Sequence, residues 1–162
     1  MVRRSDIPRA SCKRIVQSGA HGSASRMGED ATEAAHLQLD LLIQKLGSEA
    51  AKQCKLMKRE TVNLAVLKSV VEAHASCKGV KDDDYVHANR AGKGQRGLPK
   101  AGLVRHFKLS AGDKRITEEA ANALVGVSEA FLRNLGSKAS GIALAAKRQT
   151  MQAADIKLAA SM

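Results

Sequence analysis

The side chains best suited to chemistry in this chain of 162 residues are gathered in two short basic turns. Residues 58–61 (KRET) and 147–150 (KRQT) share the pattern KR-x-T and lie 89 positions apart. Lysine, arginine and threonine side chains are donors that suit phosphate oxygens. Arg26 and Arg115 precede the two turns with the same offset of 89. A lone basic turn is usually a solvated helix end, but two copies with matched arginines predict contact with a nucleic-acid backbone.

Two other polar patterns lie between the basic turns, and neither predicts a binding site. Residues 92–97 (GKGQRG) fit G-x-G-x-x-G, which binds a dinucleotide only between a strand and a helix. No strand is predicted before this segment and Pro99 follows it, so we interpret it as a flexible basic linker. Residues 82–84 (DDD) lack the spaced oxygen ligands of a calcium loop, which favours a solvated linker.

The remaining reactive residue types do not indicate catalysis or a structural metal. The five histidines show neither H-x-x-x-H spacing nor a paired nucleophile. The three cysteines lack C-x-x-C spacing, so neither a zinc site nor a disulfide framework is expected. The acidic pairs at 29–30 and 118–119 suit helix starts, where carboxylates complement the helix dipole. We therefore predict no enzyme activity, no cofactor and no small-molecule substrate.

Composition narrows the class of partner. The formal net charge is +11 and both halves of the chain are basic, which favours nucleic acid or an anionic membrane. No apolar run approaches the roughly 18–20 residues that span a bilayer, and no secretory signal follows Met1. The chain has no Trp, one Tyr and two Phe, too few for the aromatic platforms on which single strands stack. A duplex backbone is the expected partner.

The elements that position the basic turns follow from hydrophobic periodicity. A helix over about 29–55 is predicted by apolar residues at three- and four-residue steps, from Ala31 to Cys54. The same pattern runs from Ala120 to Ile142, after the potential N-cap Thr117. Short helices are predicted after Pro8 and Pro99, and again after each basic turn, where Asn63 can cap the first. Each half is thus a short, a long and a short helix.

This tandem repeat predicts an all-α architecture. The predicted boundaries are a first unit at 1–73, a linker at 74–97 and a second unit at 98–162. A unit of about 70 residues with one long rod cannot bury the apolar stripe of that rod by itself. We therefore expect the two units to pack head to tail, with the long helices crossing.

The motifs together resemble the histone fold, arranged as a histone doublet with two folds in one chain, as in some archaeal and giant-virus proteins. The resemblance covers about residues 7–72 and 98–160 and rests on four motifs. They are P-x-A with an arginine six residues after the proline, R-[hydrophobic]-x-[ED]-[ED]-A, KR-x-T, and D-I-x-L-A. The second unit matches best, at 115–120, 146–150 and 155–159.

The resemblance implies a non-enzymatic protein that binds and compacts double-stranded DNA without reading its sequence, as nucleosome-like particles. Its partners would be duplex DNA and itself or another histone doublet, and it would be associated with chromatin in a nucleus, nucleoid, viral factory or virion. The implied DNA-binding residues are Arg9, Lys13, Arg14, Arg26, Lys58, Arg59, Thr61, Lys100, Arg105, Lys114, Arg115, Lys147, Arg148 and Thr150. The alternative is a histone-fold scaffold of the transcription- or replication-factor type that binds proteins and holds DNA weakly. A membrane-surface protein would fit the charge but not the repeat.

Two departures from the family pattern concern the ends of the long helices. The family pairs the KR-x-T arginine with an aspartate seven residues on, which implies a structural pair between Arg148 and Asp155, whereas Arg59 is followed by Val66. The histidine used by archaeal histones between dimers is replaced by Leu56 and Ala145. We therefore expect self-association through an apolar patch at the first unit's end, formed by Gln53, Leu56 and Val66.

Overall fold

The computed structural model describes residues 7–20, 26–74, 77, 79–85, 98–112 and 114–161. Its helices are α1 (Arg9–Gly19), α2 (Glu29–Leu56), α3 (Leu64–Ala73), α4 (Lys100–Ser110), α5 (Glu118–Ala145) and α6 (Ala153–Ser161). The predicted order of a short, a long and a short helix in each unit is therefore confirmed. Within the described ranges, none of these helices has the length and apolarity needed to cross a bilayer.

Local capping explains where several helices begin. The side chain of Asn63 accepts a hydrogen bond of 2.9 Å from the backbone N–H of Val66, at the start of α3. Thr117 Oγ1 likewise accepts from the N–H of Ala120 at 3.2 Å, at the start of α5. These bonds satisfy backbone donors that the first turn of a helix leaves unpaired. Both residues were predicted as N-caps, and both predictions are confirmed.

Four two-residue strands join the two units, and periodicity did not predict them. They are β1 (Arg26–Met27), β2 (Thr61–Val62), β3 (Arg115–Ile116) and β4 (Thr150–Met151). β1 pairs with β4 in parallel, placing Arg26 opposite Thr150. β2 pairs with β3 in parallel, placing Thr61 opposite Arg115. Each pairing joins the loop before one unit's long helix to the loop after the other's, so the units are arranged head to tail.

The core lies between the units. The most extensive contact between helices joins α1 of the first unit to α5 of the second, and α4 of the second unit packs on α2 of the first. α6 lies against both α2 and α5. Large side chains from both units are fully buried, among them Leu39, Leu46, Phe107, Leu124 and Leu132. The two folds thus share one hydrophobic core, as expected for rods that cannot bury their apolar stripes alone.

Glycines allow the closest approaches between the units. A Cβ added to Gly136 on α5 would lie 1.9 Å from the carbonyl oxygen of Val16 on α1. A Cβ at the equivalent Gly47 on α2 would lie 2.6 Å from the carbonyl oxygen of Phe107 on α4. Gly19 on α1 meets the backbone of Arg133 on α5 in the same way. The repeated Leu-Gly-Ser motif of the long helices therefore marks the points where each receives the other unit's first helix.

Part of the segment predicted as a solvated linker packs on the second long helix instead. Residues Asp82–Tyr85 form a 3₁₀ turn in contact with α5. Asp84 lies 3.4 Å from the guanidinium of Arg133, and Lys68 Nζ lies 5.4 Å from the centroid of the buried Tyr85 ring. The backbone N–H of Leu98 donates to Glu129 on α5. The glycine-rich stretch at 92–97, and with it the flexible-linker interpretation, lies outside the described residues.

Candidate nucleic-acid interface

The strand pairings gather the predicted basic residues into two clusters, each drawn from both units. The first, the β1–β4 loop pair, contains Arg26 from the first unit and Lys147, Arg148 and Thr150 from the second. The second, the β2–β3 loop pair, contains Lys58, Arg59 and Thr61 from the first unit and Lys114 and Arg115 from the second. Two hydrogen bonds, from Arg115 N to Glu60 O and from Thr117 N to Val62 O, extend the second pairing.

Both KR-x-T turns end their long helix in the same strained backbone conformation. Lys58 and Lys147 have φ angles of 55° and 59°, in the left-handed region. The following N–H groups, those of Arg59 and Arg148, donate to the carbonyls of Cys54 and Ala143, each at 2.8 Å. This is a Schellman-type helix end, where glycine is the usual left-handed residue. A lysine in this conformation costs about 1 kcal/mol relative to glycine. Both turns therefore have an exposed basic side chain at a position where glycine would be less strained.

The predicted ion pair between Arg148 and Asp155 is present. Two hydrogen bonds form it, with Arg148 Nη1 2.6 Å from Asp155 Oδ2 and Nη2 2.8 Å from Oδ1. Asp155 Oδ2 also accepts from the N–H of Gln152 at 2.8 Å, which caps α6. The hydrogen bond from Arg148 lowers the pKa of Asp155, assisted by the Gln152 amide and opposed by burial. In return, the hydrogen bond to Asp155 raises the pKa of Arg148. Arg148 is therefore held at the base of its loop.

The first unit builds the same corner without an ion pair. Val66 occupies the position of Asp155 and is buried in the core, with 2% of its surface exposed. The prediction that Val66 forms part of an exposed apolar patch is therefore wrong, because its side chain belongs to the shared core and its backbone N–H donates to the Asn63 cap of α3. Arg59 is exposed, and within the described ranges it has no carboxylate partner.

Some basic residues of the first short helix in each unit form ion pairs with the long helix. Arg9 Nη1 lies 3.1 Å from Glu33 Oε1 on α2. At the equivalent position, Lys100 pairs with Glu118 and lies 3.4 Å from Asn122 Oδ1 on α5. Arg14 and Arg105 are exposed. Lys13 is half-buried. Both the loops and the short helices therefore present exposed basic side chains, although Arg9 and Lys100 also form ion pairs within the fold.

The end of α2 is more apolar than predicted from Leu56 alone. Leu56 has 83% of its surface exposed, and Met57, which the sequence interpretation missed, has 51% exposed. Gln53 is half-buried and donates to Ser69 Oγ on α3 at 3.2 Å. The only signal for Met57 was its place directly after Leu56 at a helix end. An exposed pair of large apolar side chains at one end is a candidate contact with another molecule.

Away from the loops, the described residues form no metal site, and their cysteines lie in the core. No three His, Cys, Asp or Glu side chains among those residues are arranged to hold a metal ion. The three cysteines are free thiols and buried. Burial raises the pKa of Cys12 to about 12, assisted by the nearby Asp40, and that of Cys77 to about 11. These thiols are therefore small core side chains, as predicted.

Comparison with known proteins agrees with this geometry. Residues 5–71 and 96–160 match the family model described as "Histone-like transcription factor (CBF/NF-Y) and archaeal histone". The chain belongs to this histone-fold family and contains two tandem copies of its fold, as the sequence motifs indicated. The family is a non-enzymatic DNA-binding and structural one.

A solved structure shows the same fold in a single chain. The crystal structure of the histone from Methanopyrus kandleri matches with a TM-score of 0.71, at 20% sequence identity. The match covers 95% of this chain and 93% of that chain. A search of curated proteins gave no matching sequence.

Proposed function

We propose that this protein binds duplex DNA without sequence preference and compacts it, as a histone doublet whose two folds are already paired. The observation that supports this most is the composition of the two loop pairs, each with a loop arginine from one unit beside the KR-x-T turn of the other. Arginines entering the minor groove, with basic and hydroxyl groups on the flanking phosphates, hold DNA without base contacts. The protein would act in chromatin or a nucleoid.

The alternative of a protein scaffold with weak DNA binding has less support. Arg26 and Arg115 are exposed, as are Lys58, Arg59 and Lys147, although a scaffold would have no use for them. The two lysines with left-handed backbone also favour DNA binding. Glycine would fit those positions without a conformational cost, so the presence of lysine points to a role for its charge. Assembly of several doublets into nucleosome-like particles is the finer part of the proposal.

Binding should be equally strong on unrelated duplexes and should weaken steeply with salt. About eight phosphates contacted, at a slope near −0.9 for each, predict a loss of roughly a thousandfold or more between 50 and 200 mM salt. Fluorescence anisotropy with mixed-sequence duplexes of equal length, titrated at several salt concentrations, measures both properties. A single site bound tighter by orders of magnitude, or an affinity that does not depend on salt, would contradict the proposal.

Replacing both left-handed lysines by glycine should make the fold more stable and DNA binding weaker. Each of Lys58→Gly and Lys147→Gly relieves the backbone cost, for a gain of about 0.5–1 kcal/mol in the free energy of unfolding. Each also removes one phosphate contact, so the salt slope should fall by roughly 1. Chemical denaturation and duplex titration on the same samples test this. A loss of stability in both variants would contradict the claim that lysine is conformationally costly at these two positions.

Self-association of doublets should depend on the exposed end of α2. Leu56→Lys puts a charge where 83% of an apolar side chain faces solvent, so it should abolish higher oligomers without harming the fold. Ile142 lies half-buried near the end of α5, and Ile142→Lys should have the smaller effect on assembly. Sedimentation of both variants, alone and on DNA, measures the difference. Normal assembly of the Leu56 variant would move the contact to the second unit.

A further inference from the structure

The two loop pairs differ in how many cations they can offer to a phosphate. Arg148 in the β1–β4 loop pair gives two hydrogen bonds to Asp155, and its Nη1 also lies 3.4 Å from the carbonyl oxygen of Thr150. Its side chain keeps 33% of its surface exposed, and that of Asp155 only 3%. The ion pair with Asp155 therefore neutralises much of the positive charge of Arg148. Among the described residues, Arg59 at the equivalent position has no carboxylate partner, because Val66 replaces the aspartate.

The charged residues that flank the two loop pairs do not change this difference, because they cancel in the sequence. Lys55, in the last turn of α2, is exposed beside the β2–β3 loop pair, whereas the equivalent residue on α5 is Leu144. Lys114 precedes Arg115 in the same loop pair, whereas Ser25 occupies that place before Arg26. Glu60 and Asp113 offset both of these charges, since their counterparts are Gln149 and Ala24. The β2–β3 loop pair is the more basic of the two because Asp155 neutralises Arg148 in the other pair.

We propose that the doublet holds duplex DNA asymmetrically, with the β2–β3 loop pair binding the backbone more strongly than the β1–β4 loop pair and Arg59 making a phosphate contact that Arg148 does not make. This inference rests on the proposed function, and it adds that the two loop pairs of the doublet bind DNA with different strength. A doublet with one strong and one weak end binds DNA as an oriented unit, although its two folds are related by a pseudo-twofold axis. The β1–β4 loop pair binds more weakly because Asp155 holds Arg148 in an ion pair.

Matched alanine variants test the asymmetry. Salt-dependent titration of a mixed-sequence duplex should show that Arg59→Ala lowers the salt slope by roughly 0.9 and weakens binding about fivefold to tenfold at 0.1 M salt. Arg148→Ala, which removes the same formal charge, should lower the slope by clearly less than Arg59→Ala does, because Arg148 is already paired with Asp155. Circular dichroism melts establish that each variant is folded. If Arg148→Ala unfolds because Asp155 is left unpaired, the double variant Arg148→Ala/Asp155→Ala replaces it.

Releasing the retained arginine provides the converse test. Asp155→Asn keeps an oxygen for the Gln152 amide but removes the charge that holds Arg148, so the salt slope should steepen by roughly 0.9. Equal loss of slope in the Arg59 and Arg148 variants would overturn the inference, as would an unchanged slope in Asp155→Asn. Failure of the unmodified protein to bind any duplex would instead overturn the proposed function itself, so the two failures are distinguishable.

Discussion

Gly136→Ala is expected to lower the free energy of unfolding by roughly 2–3 kcal/mol, although alanine is the better helix former. The reason is steric: the new methyl group would lie 1.9 Å from the carbonyl oxygen of Val16 and 2.8 Å from its carbonyl carbon. Both atoms belong to the backbone of α1, so no side chain can move aside to make room. The two units must separate locally, and separation exposes the core that they share.

A second glycine on the same helix provides the control for this prediction. Nothing lies within 4 Å of a Cβ placed on Gly141, so Gly141→Ala should stabilise the chain by up to about 1 kcal/mol. Thermal unfolding should place the two midpoints on opposite sides of the unmodified protein, roughly 5–10 °C lower for Gly136→Ala. If Gly136→Ala melts at or above the unmodified midpoint, close approach of α1 and α5 is not what joins the units.

The double variant Arg26→Ala/Arg115→Ala is expected to lose DNA binding more than any other change of two charges. The two arginines lie in different loop pairs, on exposed strand residues that lie opposite Thr150 and Thr61. Removing both should lower the salt slope by about 2 and weaken duplex binding by roughly 50-fold or more at 0.1 M salt. Bending of the duplex, measured by energy transfer between labelled ends, should fall as well, because groove insertion drives it.

The matched control removes two charges from the middle of the long helices. Lys45→Ala/Lys138→Ala takes away the same formal charge from exposed residues on α2 and α5, away from the strand pairings. The control should retain most of the affinity and the bending, and both double variants should unfold at nearly the same temperature. Equal losses in the two variants would reduce the mechanism to bulk charge and remove any special role for the loop arginines.

The features that were predictable from sequence are those that depend on nearby residues. The long helices follow from apolar spacing, and the caps at Asn63 and Thr117 follow from their position before the first turn. The head-to-tail pairing followed from the repeat, because a rod without a partner cannot bury its stripe. The Arg148–Asp155 pair spans only seven residues, and family resemblance supplied it.

The features that were missed depend on the other unit. Strands of two residues have no measurable period and exist only because a loop of the opposite unit lies beside them. Val66 looked like a surface residue in the sequence, but it is buried in a core to which both units contribute. The packing role of Gly47 and Gly136 was also not predictable, because the backbone that approaches each glycine lies far away in the sequence.

Nuclease digestion of DNA assembled with the full chain is the most direct test that this protein is a doublet which covers duplex DNA. We expect protected fragments of discrete lengths, the same on several unrelated DNA sequences, with protection lost as salt rises. The Arg26→Ala/Arg115→Ala variant at the same concentration should protect far less DNA. Digestion indistinguishable from that of free DNA, or protection confined to one particular sequence, would contradict the account.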